Sequence, residues 1–170
     1  MIVNILDTNS KELTKAIIRE GIRSEMPSIQ HNWHFNFEKT TMYPSSKFFV
    51  LVHVNTPKVI EGCMIFSINK TFGPYLDLLE VAPHNKGKDG KYKYVAGCLI
   101  AYACGLSFEV GIEENKGILT FLASGNSNDS KEKLENLYRE KYKAVKNPYG
   151  YMEIYQESSK CLIEEYLLRA

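Results

Sequence analysis

Between residues 48 and 82 three apolar runs, rich in β-branched and aromatic residues, follow one another: Phe48 to Val54, Val59 to Ile68 and Tyr75 to Ala82. Such runs read as strands, because branched and aromatic side chains pack well on a pleated surface. Asn55 to Lys58 and Gly73-Pro74 supply the turns between them, and Pro83 stops the third run. A helical pattern comes next. From Tyr94 to Phe108, Val95, Leu99, Tyr102 and Leu106 form one stripe, with Ala96, Ile100 and Ala103 beside it. A hairpin and a third strand leading directly into a helix exclude a helical bundle and an all-β sandwich.

The rest of the chain extends the pattern. Lys116 to Ala123 reads as a strand, Ser130 caps a helix from Glu132 to about Lys143, and Tyr151 to Tyr155 reads as a last strand. Ser158 or Ser159 caps a final helix. Ahead of residue 48, residues 2–6 read as a short strand. A helix is then expected from Asn9 or Ser10 through Ile22, with Leu13, Ile17 and Ile18 on one face. Between Pro27 and Pro44 the stretch His31 to Phe37 reads as helix or lid. Its Trp33, Phe35 and Phe37 suit an acceptor pocket and a core equally. The expected architecture is α/β, a three-layer α/β/α arrangement with a mixed sheet and helices on both faces. One domain is expected over residues 1–170.

Charge and cysteine usage narrow the function classes. The 170 residues are 44% apolar and 24% charged, ordinary globular values. Lys plus Arg is 21 and Asp plus Glu is 20, a net charge of +1. A broad duplex-binding surface normally needs a strong basic excess, so nucleic acid is not an expected partner. No apolar run is long enough to span a membrane, and Met1 to Ser10 lacks the pattern of an export signal. Cys63, Cys98, Cys104 and Cys161 sit in apolar stretches without a C-x-x-C pair. They read as reduced thiols of a cytoplasmic protein. His31, His34, His53 and His84 do not cluster with them, so no metal site is expected.

The segment with chemistry in it joins the third strand to the long helix. It carries Gly87 and Gly90 together with Lys86, Lys88, Lys91 and Lys93. A loop feeding a helix N-terminus presents unpaired N–H groups and the positive end of the helix dipole. Glycines let the backbone approach an anion closely, so the segment reads as a phosphate or pyrophosphate cradle. Neither the P-loop pattern G-x-x-x-x-G-K-[ST] nor the dinucleotide pattern G-x-G-x-x-G is present.

The segment resembles the coenzyme A loop of the GNAT acetyltransferases. That family shows a strand ending V-x-P, then R/Q-x-x-G-x-G/A, then a helix of small residues and leucines. Here stand Val81-Ala82-Pro83, Lys86-Gly87-Lys88-Asp89-Gly90 and Ala96-Gly97-Cys98-Leu99-Ile100. A later strand, Ile118 to Phe121, precedes a helix with Tyr138, again as in the family. The likeness in element order spans residues 48–155. Three departures stand out. The loop is longer than the family's, and Lys86 or Asn85 replaces the leading Arg or Gln. The family's helix Asn is also out of register, with Asn126 and Asn128 nearby.

The resemblance implies a partly splayed sheet and acetyl-CoA as co-substrate. It also implies an amine acceptor, small molecule or protein, and leaves room for a homodimer. It assigns cofactor contacts to Leu79, Val81, Lys86, Gly87, Lys88, Gly90, Lys91, Val95 and Ala96, with the Val81 N–H as oxyanion donor. Tyr138 takes the role of general acid, with Tyr142 one turn on as substitute. For the general base Glu80 is the first candidate, with Asp77 and Glu61 also available. Strand alternation puts Glu80 with Leu76 and Leu78, and Asp77 with Leu79 and Val81. A GNAT fold that binds coenzyme A without catalysis is a further reading. Another alternative is a KH-like RNA-binding module, because Gly87-Lys88-Asp89-Gly90 is a G-x-x-G loop.

Overall fold

The structure, a computed structural model, describes residues 1–124 and 127–170. Its strands are β1 (Ile2–Asp7), β2 (Leu13–Glu20), β3 (Lys47–His53), β4 (Thr56–Asn69), β5 (Gly73–Val81), β6 (Tyr92–Lys93), β7 (Leu119–Phe121), β8 (Val145–Lys146) and β9 (Met152–Ile154). Its helices are α1 (Val95–Val110), α2 (Asn128–Tyr142) and α3 (Gln156–Leu162), the last running into a wider π turn over Ile163–Leu167. Among the described residues the strands form one sheet in the order β6-β1-β2-β3-β4-β5-β7-β9-β8. β5 and β7 pair in parallel and the other pairs are antiparallel, so the sheet is mixed as expected. Among the described residues, no helix is long and apolar enough to cross a membrane.

Strand alternation builds two cores. Phe49, Leu51, Met64 and Phe66 face α1, where they meet Cys98, Leu99, Leu162 and Tyr166. Val50, Val52, Cys63 and Ile65 face the other way and are covered by Met26, Trp33 and Phe37. That second cover is a strap, residues 21–46, held by two 3₁₀ turns at Arg23–Glu25 and Ile29–His31. Arg23 fastens it by donating to the carbonyls of Glu38 and Thr40. Trp33 and Phe37 are core residues, 7% and 0% exposed.

The helix expected from residue 9 or 10 to 22 is a strand. Asp7 Oδ1 accepts from the Asn9 and Ser10 N–H groups in a tight turn, and β2 follows. Two periods coexist in this segment. Leu13, Ile17 and Ile18 suggest a helical face, but Ala16 and Ile18 are fully buried and Leu13 is 40% exposed, which is period two. Pairing with β1 on one side and β3 on the other decides the outcome, because it satisfies the backbone along the whole strand. Two helix starts also differ from expectation. α2 begins at Asn128, where Ser127 and Ser130 cap each other reciprocally through hydroxyl and backbone N–H. α3 begins at Gln156, not after Ser158 or Ser159.

Gly97 fixes how closely the C-terminal segment docks. A Cβ there would stand 2.1 Å from the ring of Tyr166, which is itself 3% exposed. Gly97→Ala should therefore destabilise by about 1–3 kcal/mol, although alanine favours a helix interior by up to about 1 kcal/mol. The check is the urea midpoint. An unchanged or higher midpoint would mean that Tyr166 moves aside freely.

Candidate active site

The sheet opens beside β5. Its pairing with β7 consists of Tyr75 with Thr120 and Leu76 with Phe121, and beyond Leu76 the two strands part. A cavity of about 260 Å³ lies there, with walls from Asp77, Leu79 and Glu80 of β5, His34 and Phe35 of the strap, and Phe121 and Tyr138. The opening coincides with a bulge. Leu78 pairs with Ile65 and Leu76 with Phe66, which leaves Asp77 as an extra residue. The bulge corrects the simple alternation. Leu76 joins Leu79 and Val81 on the α1 face, while Leu78 packs on the strap side.

The three candidate carboxylates have different surroundings. Glu80 is 6% exposed and fully engaged. Its Oε1 accepts from the His34 N–H at 2.7 Å and from Lys86 Nζ, and its Oε2 accepts from the Phe35 N–H at 2.9 Å. Glu80 thus ties the strap to β5. Glu61, 1% exposed, holds the start of the basic loop through His84 Nε2 and Asn85 Nδ2. Asp77 lines the cavity, and its Oδ2 is shut from solvent with no partner among the described residues. Burial pushes its carboxyl above the usual value of 3.8, against the pull of Ser67 and its own backbone N–H.

The basic loop is built from the inside. Asn85 is buried and bonds Glu61 with its amide nitrogen and the Tyr92 N–H with its oxygen. Gly90 passes so close that a Cβ would stand 2.4 Å from the Asn85 carbonyl oxygen. Gly87 turns with φ +74°. Lys93 Nζ donates to the carbonyls of Gly87 and Lys88, and the Thr8 hydroxyl ties Gly90 and Lys91 to the end of β1. Tyr94, at φ +73°, stands at the N-cap of α1 and offers no side-chain cap, so Val95 and Ala96 begin the helix with its N-terminus open. This is a frame for an anion.

The lysines separate. Lys86 reaches the cavity and Glu80, Lys91 lies over the Tyr92 ring, and Lys88 is exposed. The loop joins a strand to a helix and not two helices, so the KH-like alternative does not hold.

Tyr138 borders the cavity from α2, with its ring centroid 4.7 Å from that of Phe121. Burial raises its phenol above the usual value. Among the described residues its hydroxyl has no hydrogen-bond partner. Tyr142 is 3% exposed and packs between Tyr138 and Tyr166, away from the cavity. Asn128 opens α2, and Asn126 lies outside the described residues. The bulge at Asp77, the strap contacts of Glu80 and the positive φ of Tyr94 have no local signal in the sequence, since each depends on partners far along the chain.

No family model and no curated protein matches the sequence. Solved structures do. The KacTA–DNA complex aligns over 88% of this chain and 99% of its own, with TM-score 0.58 and 14% identity. AtaTR bound with AcCoA aligns over 87% of this chain and 98% of its own, with TM-score 0.56 and 16% identity. A GNAT-family acetyltransferase from Bacillus cereus is also similar, over 82% of this chain and 93% of its own, at 13% identity and TM-score 0.45. Identities this low speak for the fold. With a mixed sheet that parts at Asp77 and a glycine-bearing loop that feeds α1 beside β5, the chain has the fold of the GNAT acetyltransferases.

Proposed function

We propose that the chain is an acetyl-CoA-dependent N-acetyltransferase, acting as a single cytoplasmic domain on an amine-bearing small molecule or protein. The observation that carries this reading is the gap between β5 and β7, with Tyr138 on one wall and the open N-terminus of α1 beyond the basic loop. The cofactor seen with AtaTR adds support for a coenzyme A thioester.

In this reading the backbone of Leu79 to Val81 lies along the thioester, and the Val81 N–H meets the oxyanion. The backbone amides of Gly87, Lys88 and Gly90, and those of Val95 and Ala96, hold the pyrophosphate, with Lys88 and Lys91 adding positive charge. Lys86, bound to Glu80, serves the acceptor side. The Tyr138 hydroxyl gives a proton to the departing sulfur. Glu80, with both oxygens engaged, positions the strap.

The test is thermal. Acetyl-CoA at 100 times its dissociation constant should stabilise the fold by about 2.7 kcal/mol, or about 5–11 °C for a chain of this size. An unchanged melting temperature at saturating acetyl-CoA would refute the cofactor assignment.

A further inference from the structure

We infer that a second ligand site lies beside the strap, for a small organic carboxylate with an apolar body, and that its occupancy steadies the basic loop. The inference does not depend on the acetyl-transfer reading. A second cavity, of about 470 Å³, lies between the strap, the start of β4 and the end of β5. That volume suits a small ligand. Met26, Ile60 and Ala82, from the strap-side core, give it an apolar floor.

Irregular pairing makes the cavity. Against β3, Val52 pairs with Ile60 and His53 with Thr56, so Pro57, Lys58 and Val59 bow out of the ladder. One step on, Leu51 pairs with Gly62, which leaves Glu61 as an extra residue. Bulges re-aim side chains. Here Lys58 and Val59 come to the cavity wall, and Glu61 is buried against His84.

The free polar groups on the walls suit an acceptor of negative charge. Trp33 is 7% exposed, and its indole N–H has no partner among the described residues. It is not one of the unpartnered polar atoms closed to solvent. A buried indole N–H usually finds an acceptor. Lys58 is exposed, with no ion pair among the described residues. His84 gives Nε2 to Glu61, which leaves Nδ1 for a ligand, and His31 Nδ1 meets the Ser28 hydroxyl, which leaves Nε2. The acids nearby are committed. Glu25 is held by both terminal nitrogens of Arg19 and by the Ile22 N–H, and Glu61 by His84 and Asn85. An ionised carboxylate is acceptor-only and charge-assisted, so it answers these donors together.

One side chain joins this site to the basic loop. Glu61 Oε2 accepts from His84 Nε2 and from Asn85 Nδ2, and Asn85 Oδ1 accepts from the Tyr92 N–H ahead of α1. A ligand that fixes the His84 ring therefore also fixes this line of hydrogen bonds.

The test measures binding. Trp33 is the one tryptophan of the chain, so its fluorescence reads the cavity. 3-Phenylpropanoate and its isosteric amide, 3-phenylpropanamide, are titrated against the full chain at pH 6, below the ordinary imidazole value of about 6.5. The acid should bind about 10–100-fold more tightly than the amide, the range for hydrogen bonds to a charged group. Lys58→Glu, at an exposed position, should remove most of that preference and leave amide binding unaffected. His84→Gln keeps a donor for Glu61 and should weaken the preference as well. Hydrogen exchange at the Tyr92 amide should slow with the acid bound. Equal affinities for acid and amide, no response to the acid, or Tyr92 exchange unchanged at saturation would overturn the inference. So would a preference kept in Lys58→Glu, which decides alone if His84→Gln does not fold. Neither Lys58 nor His84 lines the cavity between β5 and β7, so a preference kept in both variants would move the acid there.

Discussion

Tyr138→Phe is expected to lower acetyl transfer by roughly 10²–10⁴-fold, the range for a positioned proton donor, while leaving the fold and acetyl-CoA affinity intact. A phenol starts near 10, and burial moves this one further up, so it holds its proton throughout the neutral range. It can therefore donate to a thiolate whose conjugate acid lies near 8.5, with the proton moving as the C–S bond breaks. The ring is fixed independently of the hydroxyl by edge contact with Phe121 and by Tyr142 at 6.0 Å. Phenylalanine keeps those contacts. No hydrogen bond to the hydroxyl is lost among the described residues, so stability should stay within about 0.5 kcal/mol. Single-turnover kinetics beside calorimetric titration of acetyl-CoA separates the effects. Full turnover in the Phe variant would make Tyr138 a packing residue and leave solvent as the proton source.

How far this site is legible in the sequence depends on the range of the interactions that form it. β3, β4, β5 and α1 are written locally, as branched and aromatic runs followed by a helical stripe. The basic loop is equally legible, since glycines and lysines between a strand and a helix state its chemistry. β2 is not, because Leu13, Ile17 and Ile18 satisfy a helical spacing while Ala16 and Ile18 satisfy a strand, and pairing with β1 and β3 decides. The bulge at Asp77 is one extra residue in β5 relative to β4, and no residue type marks it. That single insertion moves Leu76 to the α1 face and leaves Asp77 and Glu80 with different neighbours. The partners of Glu80 are the N–H groups of His34 and Phe35, 46 and 45 residues away. A strand carboxylate with an alternating neighbour pattern reads as solvent-facing or catalytic, and neither reading contains a strap.

Glu80→Ala is expected to cost about 3 kcal/mol of stability and to loosen the acceptor side of the cleft. The carboxylate accepts from two backbone N–H groups and one ammonium, and hydrogen bonds to a charged acceptor contribute about 1.5–3 kcal/mol each. The Lys86 contribution is the smallest, because its side chain is 42% exposed and regains water when the pair is broken. The His34 and Phe35 amides lose more, since they face β5 under the strap. Trp33 and Phe37 still anchor the strap from either side, which keeps the loss below a global collapse. The consequence for function follows from where the strap lies. His34 and Phe35 wall the cavity, while the basic loop is braced separately by Glu61, Asn85 and Thr8. The acceptor KM should rise and acetyl-CoA affinity should hold. Glu80→Gln keeps one acceptor oxygen and should lose about half as much stability. Urea unfolding gives the energies, and hydrogen exchange at the His34 and Phe35 amides reports the strap directly. Protection unchanged in Glu80→Ala, with stability within about 0.5 kcal/mol of wild type, would show that the strap is held by its aromatic anchors alone. Glu80 would then be free to act on the substrate.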